Sequence, residues 1–282
     1  MLQRTASEMP TAAGAVCDVE AEGGGTSRDR RTAKPYPQWM PARSAALLLQ
    51  VLLGVGPTTE GASVPPAFPA SAAYRQGLNG LRAGRAVSVE EVFRLATAAG
   101  KEIEADITKA DEARVAGADA KPTLLELEGL AISWEEAIFA KPKPDFFLAL
   151  ARSHGRKQDR TFFELLLATK PDGVWPAYLE QETDVTGCVR FDLPELPSLY
   201  ARWLAFRDSH PKAYQDDADR ELLELDRWLK SDCSCGGRET VIEGLSAILR
   251  AAPKAPSSLD LKTRLDAVRN GEASLRFNCH SG

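Results

Sequence analysis

The chain has 282 residues, with 35 Lys and Arg against 40 Asp and Glu, a formal net charge of −5. That balance does not indicate the basic face expected of a nucleic-acid-binding protein. At 44% hydrophobic and 27% charged, the composition is that of an ordinary globular protein.

Residues 1–39 are rich in Ala, Gly, Thr and Arg and show no apolar period. They read as a disordered leader or as a start assigned too far upstream. Arg43 is then followed by an apolar run from Ala45 to Val55, broken by Gln50. This is too short for a membrane-spanning helix, which needs about 20 apolar residues. It has the layout of a secretory signal: a positive charge, an apolar stretch, then small residues. Initiation at Met40 gives a conventional signal peptide over 40–63, with Gly61-Ala62-Ser63 as the cleavage site. Ala70-Ser71-Ala72 is a second candidate, far from the apolar run. The competing reading is a buried helix of a cytosolic protein. Export places the mature protein in the periplasm or outside the cell. After the signal no segment is apolar enough to span a membrane.

Residues 64–87 read as an extended tether and 88–282 as a helical domain. Ser88-Val-Glu-Glu91 has the form of a capping box. A helix with Val89, Val92, Phe93 and Ala96 on one face follows, with a break at Gly100. A second, exposed helix is expected over 102–116, stopped by Gly117. From Pro122, the apolar residues Leu124 to Phe139 surround a helix rather than stripe it, so that helix reads as central. Lys141-Pro-Lys-Pro144 interrupts the chain. Two short helices, 145–154 and 161–169, carry Phe146-Phe147 and Phe162-Phe163, with Asp159 as the second cap. Their short polar link predicts an antiparallel hairpin. Residues 170–197 form the long irregular region, in which 188–193 has strand character, as does 274–279; the two are candidates to lie side by side. Helices follow over 198–209, from Ala213 or Asp216 through Leu229, over 240–251, and from Ser258 to Gly271. The expected fold class is all-α: one irregular bundle of about eight or nine helices, with almost no strand, stapled by two disulfides in the C-terminal third.

Cys17 precedes the signal, so export leaves Cys188, Cys233, Cys235 and Cys279, an even set. Cys233 and Cys235 are too close to pair comfortably with each other, which favours a bridge from each to Cys188 and Cys279. The alternative is a zinc site on Cys233, Cys235, Cys279 and His280, although the spacing is not that of paired Cys-x-x-Cys knuckles.

His154 and His210 fall at helix ends, where a cation complements the dipole. No nucleophile elbow, phosphate loop or His-Glu-x-x-His occurs. Carboxylates cluster at Glu180, Glu182 and Asp184 in the long loop, and at Asp216, Asp217, Asp219 and Glu221 at a helix start. The helix dipole accounts for the second cluster. Trp175 and Tyr178 put aromatics into the acidic loop, either as a contact patch or as a plug. The first functional expectation is an exported helical protein that binds a protein or cell-envelope partner, in the manner of an inhibitor or immunity factor. Its contact surface is then Trp175, Tyr178, Glu180, Glu182 and Asp184, and no cofactor is implied. The alternatives are an enzyme using Glu180, Glu182 or Asp184, and the zinc protein.

Overall fold

A computed structural model describes residues 68–117, 126–134, 138–181 and 187–277. Residues 1–67, on which the expected leader, signal peptide and start of the tether fall, lie outside the described residues, as do Glu182, Asp184, Cys279 and His280. All the described residues belong to one compact unit, Thr59–Gly282.

The first helix, α1 (Pro69–Arg82), starts on a proline, whose missing N–H is harmless in a first turn. It has no cap of its own. Glu102 of the next helix supplies one, accepting from the amides of Ala70 and Ser71 at 3.1 and 2.8 Å and from the Ser71 hydroxyl at 2.6 Å. Tyr74, Leu78 and Leu81 are buried as α1 packs along α2 (Val89–Val115). The tether expected over 64–87 is thus helical from residue 69. Its three large apolar residues recur at helical spacing.

Ser88 caps α2 by accepting from the amide of Glu91 at 3.1 Å. The helix then runs 27 residues without the expected break at Gly100. Gly100 serves a tertiary purpose instead. A Cβ there would be driven into the carbonyl oxygen of Ala140, which passes directly over the helix. The second half of α2 is not merely surface, since Ile103, Ile107 and Ala110 are buried.

What passes over Gly100 is a strand. Residues 130–142 form an antiparallel hairpin, β1 (Leu130–Trp134) with β2 (Ile138–Pro142), in which Ile132 faces Ala140. The central helix expected through 124–139 is corrected here. A short apolar run has no period that separates a strand from a buried helix.

The hairpin leads into α3 (Pro144–His154) and α4 (Lys157–Thr169), which pack on each other across a two-residue link, as the Phe-Phe pairs predict. Phe147 stacks on Phe163 with ring centroids 5.5 Å apart. Asp159 does not cap α4 from outside. It sits in the first turn and accepts from the amide of Arg156 at 2.6 Å.

After α4 the order is β3 (Leu179–Gln181), β4 (Gly187–Arg190), α5 (Leu196–Ser209), α6 (Gln215–Leu229), β5 (Cys233–Cys235), α7 (Arg238–Ala251), α8 (Ser258–Asn270) and β6 (Arg276–Phe277). α8 ends on Gly271 in the left-handed conformation, φ 76°, as its sequence predicts. The four strands make one sheet in the order β3-β4-β5-β6, antiparallel at β3/β4 and parallel thereafter. Parallel neighbours require crossovers. Here each crossover is a helix pair, α5–α6 and then α7–α8. The chain is therefore mostly helical, with eight helices and two small sheets among the described residues, rather than all-α. The two strand-like segments at 188–193 and 274–279 enter the same sheet but do not touch, because β5 lies between them.

Among the described residues there is one disulfide, Cys188–Cys233, and not two. It ties β4 to β5, with Cα atoms 4.8 Å apart, and closes a span of 45 residues around α5 and α6. In the chain-entropy model such a loop contributes roughly 4 kcal/mol.

The Gly100–Ala140 approach gives a stability test. Gly100→Ala should destabilise by roughly 1–3 kcal/mol, as overpacked sites do, although Ala is the better helix former. A urea midpoint equal to or above wild type would show that the strand does not ride on the helix.

Candidate functional site

α4, α5 and α6 converge at the end of α4. Thr169, the last residue of α4, is fully buried; it donates to the Leu165 carbonyl at 2.8 Å and accepts from the Trp203 indole at 2.8 Å. This fixes Lys170, whose ammonium donates to Glu221 Oε1 at 2.8 Å and to Glu224 Oε2 at 2.7 Å. The two carboxylates are three residues apart on α6, hence on one face.

The direction of α6 is set by Tyr214. It precedes the helix with φ 50°, the one non-glycine residue with positive φ among those described. Its amide donates to Glu90 Oε1 and its hydroxyl to Asp159 Oδ1, both at 3.0 Å. Its ring stacks on Phe162 at 3.9 Å and 9°.

Between α2, β2, α4 and α6 lies a cleft of about 240 Å³. Phe93 and Thr97 of α2, Phe139 of β2, Phe162 of α4, and Asp217 and Glu221 of α6 are among its walls. The charged group formed by Lys170 with Glu221 borders it. Glu221 is 6% exposed, and its second oxygen, Oε2, is buried without a hydrogen-bond partner. Burial raises the Glu221 pKa, and the attraction of Lys170 only partly opposes this. Burial also depresses the Lys170 pKa, but the two glutamates together outweigh it, so Lys170 rests above its ordinary value. Burial sets the direction for Glu221, and the two carboxylates set it for Lys170. Lys170 stays charged, and Glu221 is more enclosed than Glu224. Asp217 is likewise raised by burial, against the pull of Arg220 at 3.2 Å. The Tyr178 hydroxyl is buried without a partner, and burial with the nearby Glu224 and Glu221 charges keeps it protonated.

The residues singled out from sequence are distributed differently. Tyr178 is fully buried in the core, so it is not part of a contact patch. Trp175 is half-buried against the same core, its amide held by Asp172 Oδ1 at 2.8 Å. The pair plugs the loop down. Glu180 is exposed on β3, opposite Cys188. Glu182 and Asp184 lie outside the described residues. His154 is exposed at the end of α3, and His210 caps α5 with its ring 5.2 Å from Phe206. The zinc reading loses a ligand, because the Cys233 sulfur is bonded to Cys188. Among the described residues no group of three or more His, Cys, Asp or Glu is placed to hold a metal. Lys170, Asp217 and Glu221 come together instead. The helix dipole explains any acid in a first turn and so conceals one that turns inward.

Comparison with protein-family models, with curated proteins and with solved structures found no match. Among the described residues no helix is long and apolar enough to cross a membrane.

The Lys170 pair fixes a stability profile. Lys170 is raised, so its contribution is complete below the ordinary lysine value of 10.5 and is lost as pH climbs through the folded value. Glu221 is raised too, so the folded state holds its proton more tightly; the charge-burial cost appears as pH rises above 4.5. Lys170→Met should cost about 3–5 kcal/mol at neutral pH, as other half-removed buried pairs do. The loss should shrink on acidification as Glu221 protonates. A loss independent of pH between the acid and neutral ranges in denaturant titrations would contradict the arrangement.

Proposed function

We propose that this chain is an exported binding protein, and that the cleft between α2, β2, α4 and α6 is where it holds a protein or cell-envelope partner. The observation that carries this reading is a concave, aromatic-sided cleft whose lining brings Asp217, Glu221 and Lys170 together. A few convergent polar groups in an apolar hollow are the form a recognition site takes. The volume supports a protein or envelope partner over a drug-sized ligand. Small-molecule pockets run to about 300–1,000 Å³, and about 240 Å³ suits one inserted anchor group.

Export is supported by Arg43, the Ala45–Val55 run and the small residues ending at Ser63. The Cys188–Cys233 bridge agrees with an oxidising compartment. A second bridge, Cys235 to Cys279, completes this proposal. On this reading the native protein begins at Val64, and its mass is lower by four hydrogens than that of the reduced chain. N-terminal sequencing with non-reducing mass spectrometry reads both. A native chain that keeps Leu47–Leu53 and free thiols would remove the exported role.

The cleft is tested by filling it. Thr97→Trp places an indole in the hollow from the half-buried face of α2. The variant should keep wild-type circular dichroism and lose the partner that the immobilised wild-type protein captures from its host. Equal capture by both would move the contact elsewhere.

A further inference from the structure

We propose that the cleft receives an apolar side chain from an acidic segment of a partner protein, and that the carboxylates beside that side chain meet Lys101, Lys141 and Arg220 at the mouth. This deepens the reading above and rests on the cleft being the recognition site.

The depth of the hollow is apolar. Phe93, Phe162 and Leu166 are buried core residues that also line it, and Phe139 of β2 adds a half-buried ring. Such walls welcome an aliphatic or aromatic group and repay no charge for its lost water. About 240 Å³ holds one side chain of that kind.

The charged lining is uneven. Lys101, Lys141, Lys170 and Arg220 stand against Asp217 and Glu221. The formal count is level only when Glu104 and Glu224 are added, which pair with Lys141 and Lys170 and do not line the cleft. A ligand meets the groups that reach solvent, and those are the cations. In one pair Lys141 is 42% exposed and Glu104 24%; in another Arg220 is 59% exposed and Asp217 15%. Each time the acid is the more buried partner. Lys170 is enclosed with its glutamates. Lys101 is exposed and has no ion-pair partner among the described residues.

Apolar depth and positive mouth are joined on one helix face. Phe93, Thr97 and Lys101 recur at four-residue spacing along α2, so this face leads from a buried ring, past a hydroxyl, to a free ammonium. The outward cations come from α2, β2 and α6, which are different walls of the cleft. One small carboxylate cannot serve all of them, whereas a peptide segment with acids on both sides of its anchor can. An anchor in a desolvated pocket holds such a partner, and the charged rim steers and orients it.

Isothermal titration of the full chain tests this. The probe is an acetylated, amidated peptide with one Phe between two pairs of glutamates. Its counterparts have lysines for the glutamates, or Ala for the Phe, and hexanoate supplies a lone carboxylate on an apolar tail. The acidic Phe peptide should bind, and more weakly as salt is raised. Both counterparts and hexanoate should bind about tenfold more weakly or less. Lys101→Glu, at an exposed position, should keep wild-type circular dichroism and weaken the peptide about fivefold or more. Equal binding of the lysine peptide or of the Ala peptide overturns the proposal. Equal binding of hexanoate gives the cleft to a free amphiphile and overturns it too. These comparisons need only the wild-type protein should Lys101→Glu fail to fold. Unchanged peptide binding by a folded Lys101→Glu also overturns it. If no peptide binds while Thr97→Trp still abolishes partner capture, this ligand class falls and the recognition site stands. Capture indifferent to Thr97→Trp removes the site itself.

Discussion

The stacking of Tyr214 on Phe162 is the contact on which the arrangement around the cleft depends. Phe162 also meets Phe93, Trp203 and Phe206, so one ring touches residues from α2, α5 and the threshold of α6. Each such pair adds about 0.5–1.5 kcal/mol beyond the area it buries. Tyr214 needs that support. Its left-handed backbone costs on the order of 1–3 kcal/mol, offset by the stack, the bond to Asp159 and the amide bond to Glu90. With Tyr214 held, α6 leaves in a fixed direction and Glu221 arrives beside Lys170. Phe93 and Phe162 belong both to this aromatic knot and to the cleft wall, so the hollow inherits the rigidity of the core.

Burying Lys170 among carboxylates is not an economical way to join α4 to α6. Well-packed apolar residues often serve as well or better, because the desolvation of ions offsets much of their attraction. What charge adds is selectivity, since a misaligned α6 would strand Lys170 in the interior without a partner. The surplus carboxylate goes further than that, for alignment needs only one. Glu224 is partly exposed and solvent can meet its needs, whereas Glu221 is enclosed. The unequal burial of these neighbours makes the inner one chemically conspicuous.

Features fixed by nearby residues were legible in the sequence. The Ser88 cap, the Gly271 stop and the α3–α4 pairing all depend on local spacing, and helix positions from 144 onward fall within a few residues of those expected. Features fixed by distant partners were not. Gly100 looks like a helix break because the reason for its missing side chain, the Ala140 carbonyl, lies 40 residues away. α1 lacked a visible cap because Glu102 provides it from another helix. Strands of two to four residues are too short to show alternation, and β5 is identified only by the neighbours on either side of it. Of the site, the acids at 217 and 221 were visible, but their inward orientation follows from the Tyr214 turn, a conformation no tyrosine advertises.

The order of strands in the four-stranded sheet bears on how the protein is made. β5 sits between β4 and β6, and its second partner is not synthesised until residues 276–277. While a ribosome works through α7 and α8, that flank of Cys233-Ser234-Cys235 has bare amides and carbonyls, the template on which nascent chains mispair. Truncation ahead of residue 276 therefore leaves β5 with an adhesive margin rather than giving a slightly shorter version of the same molecule.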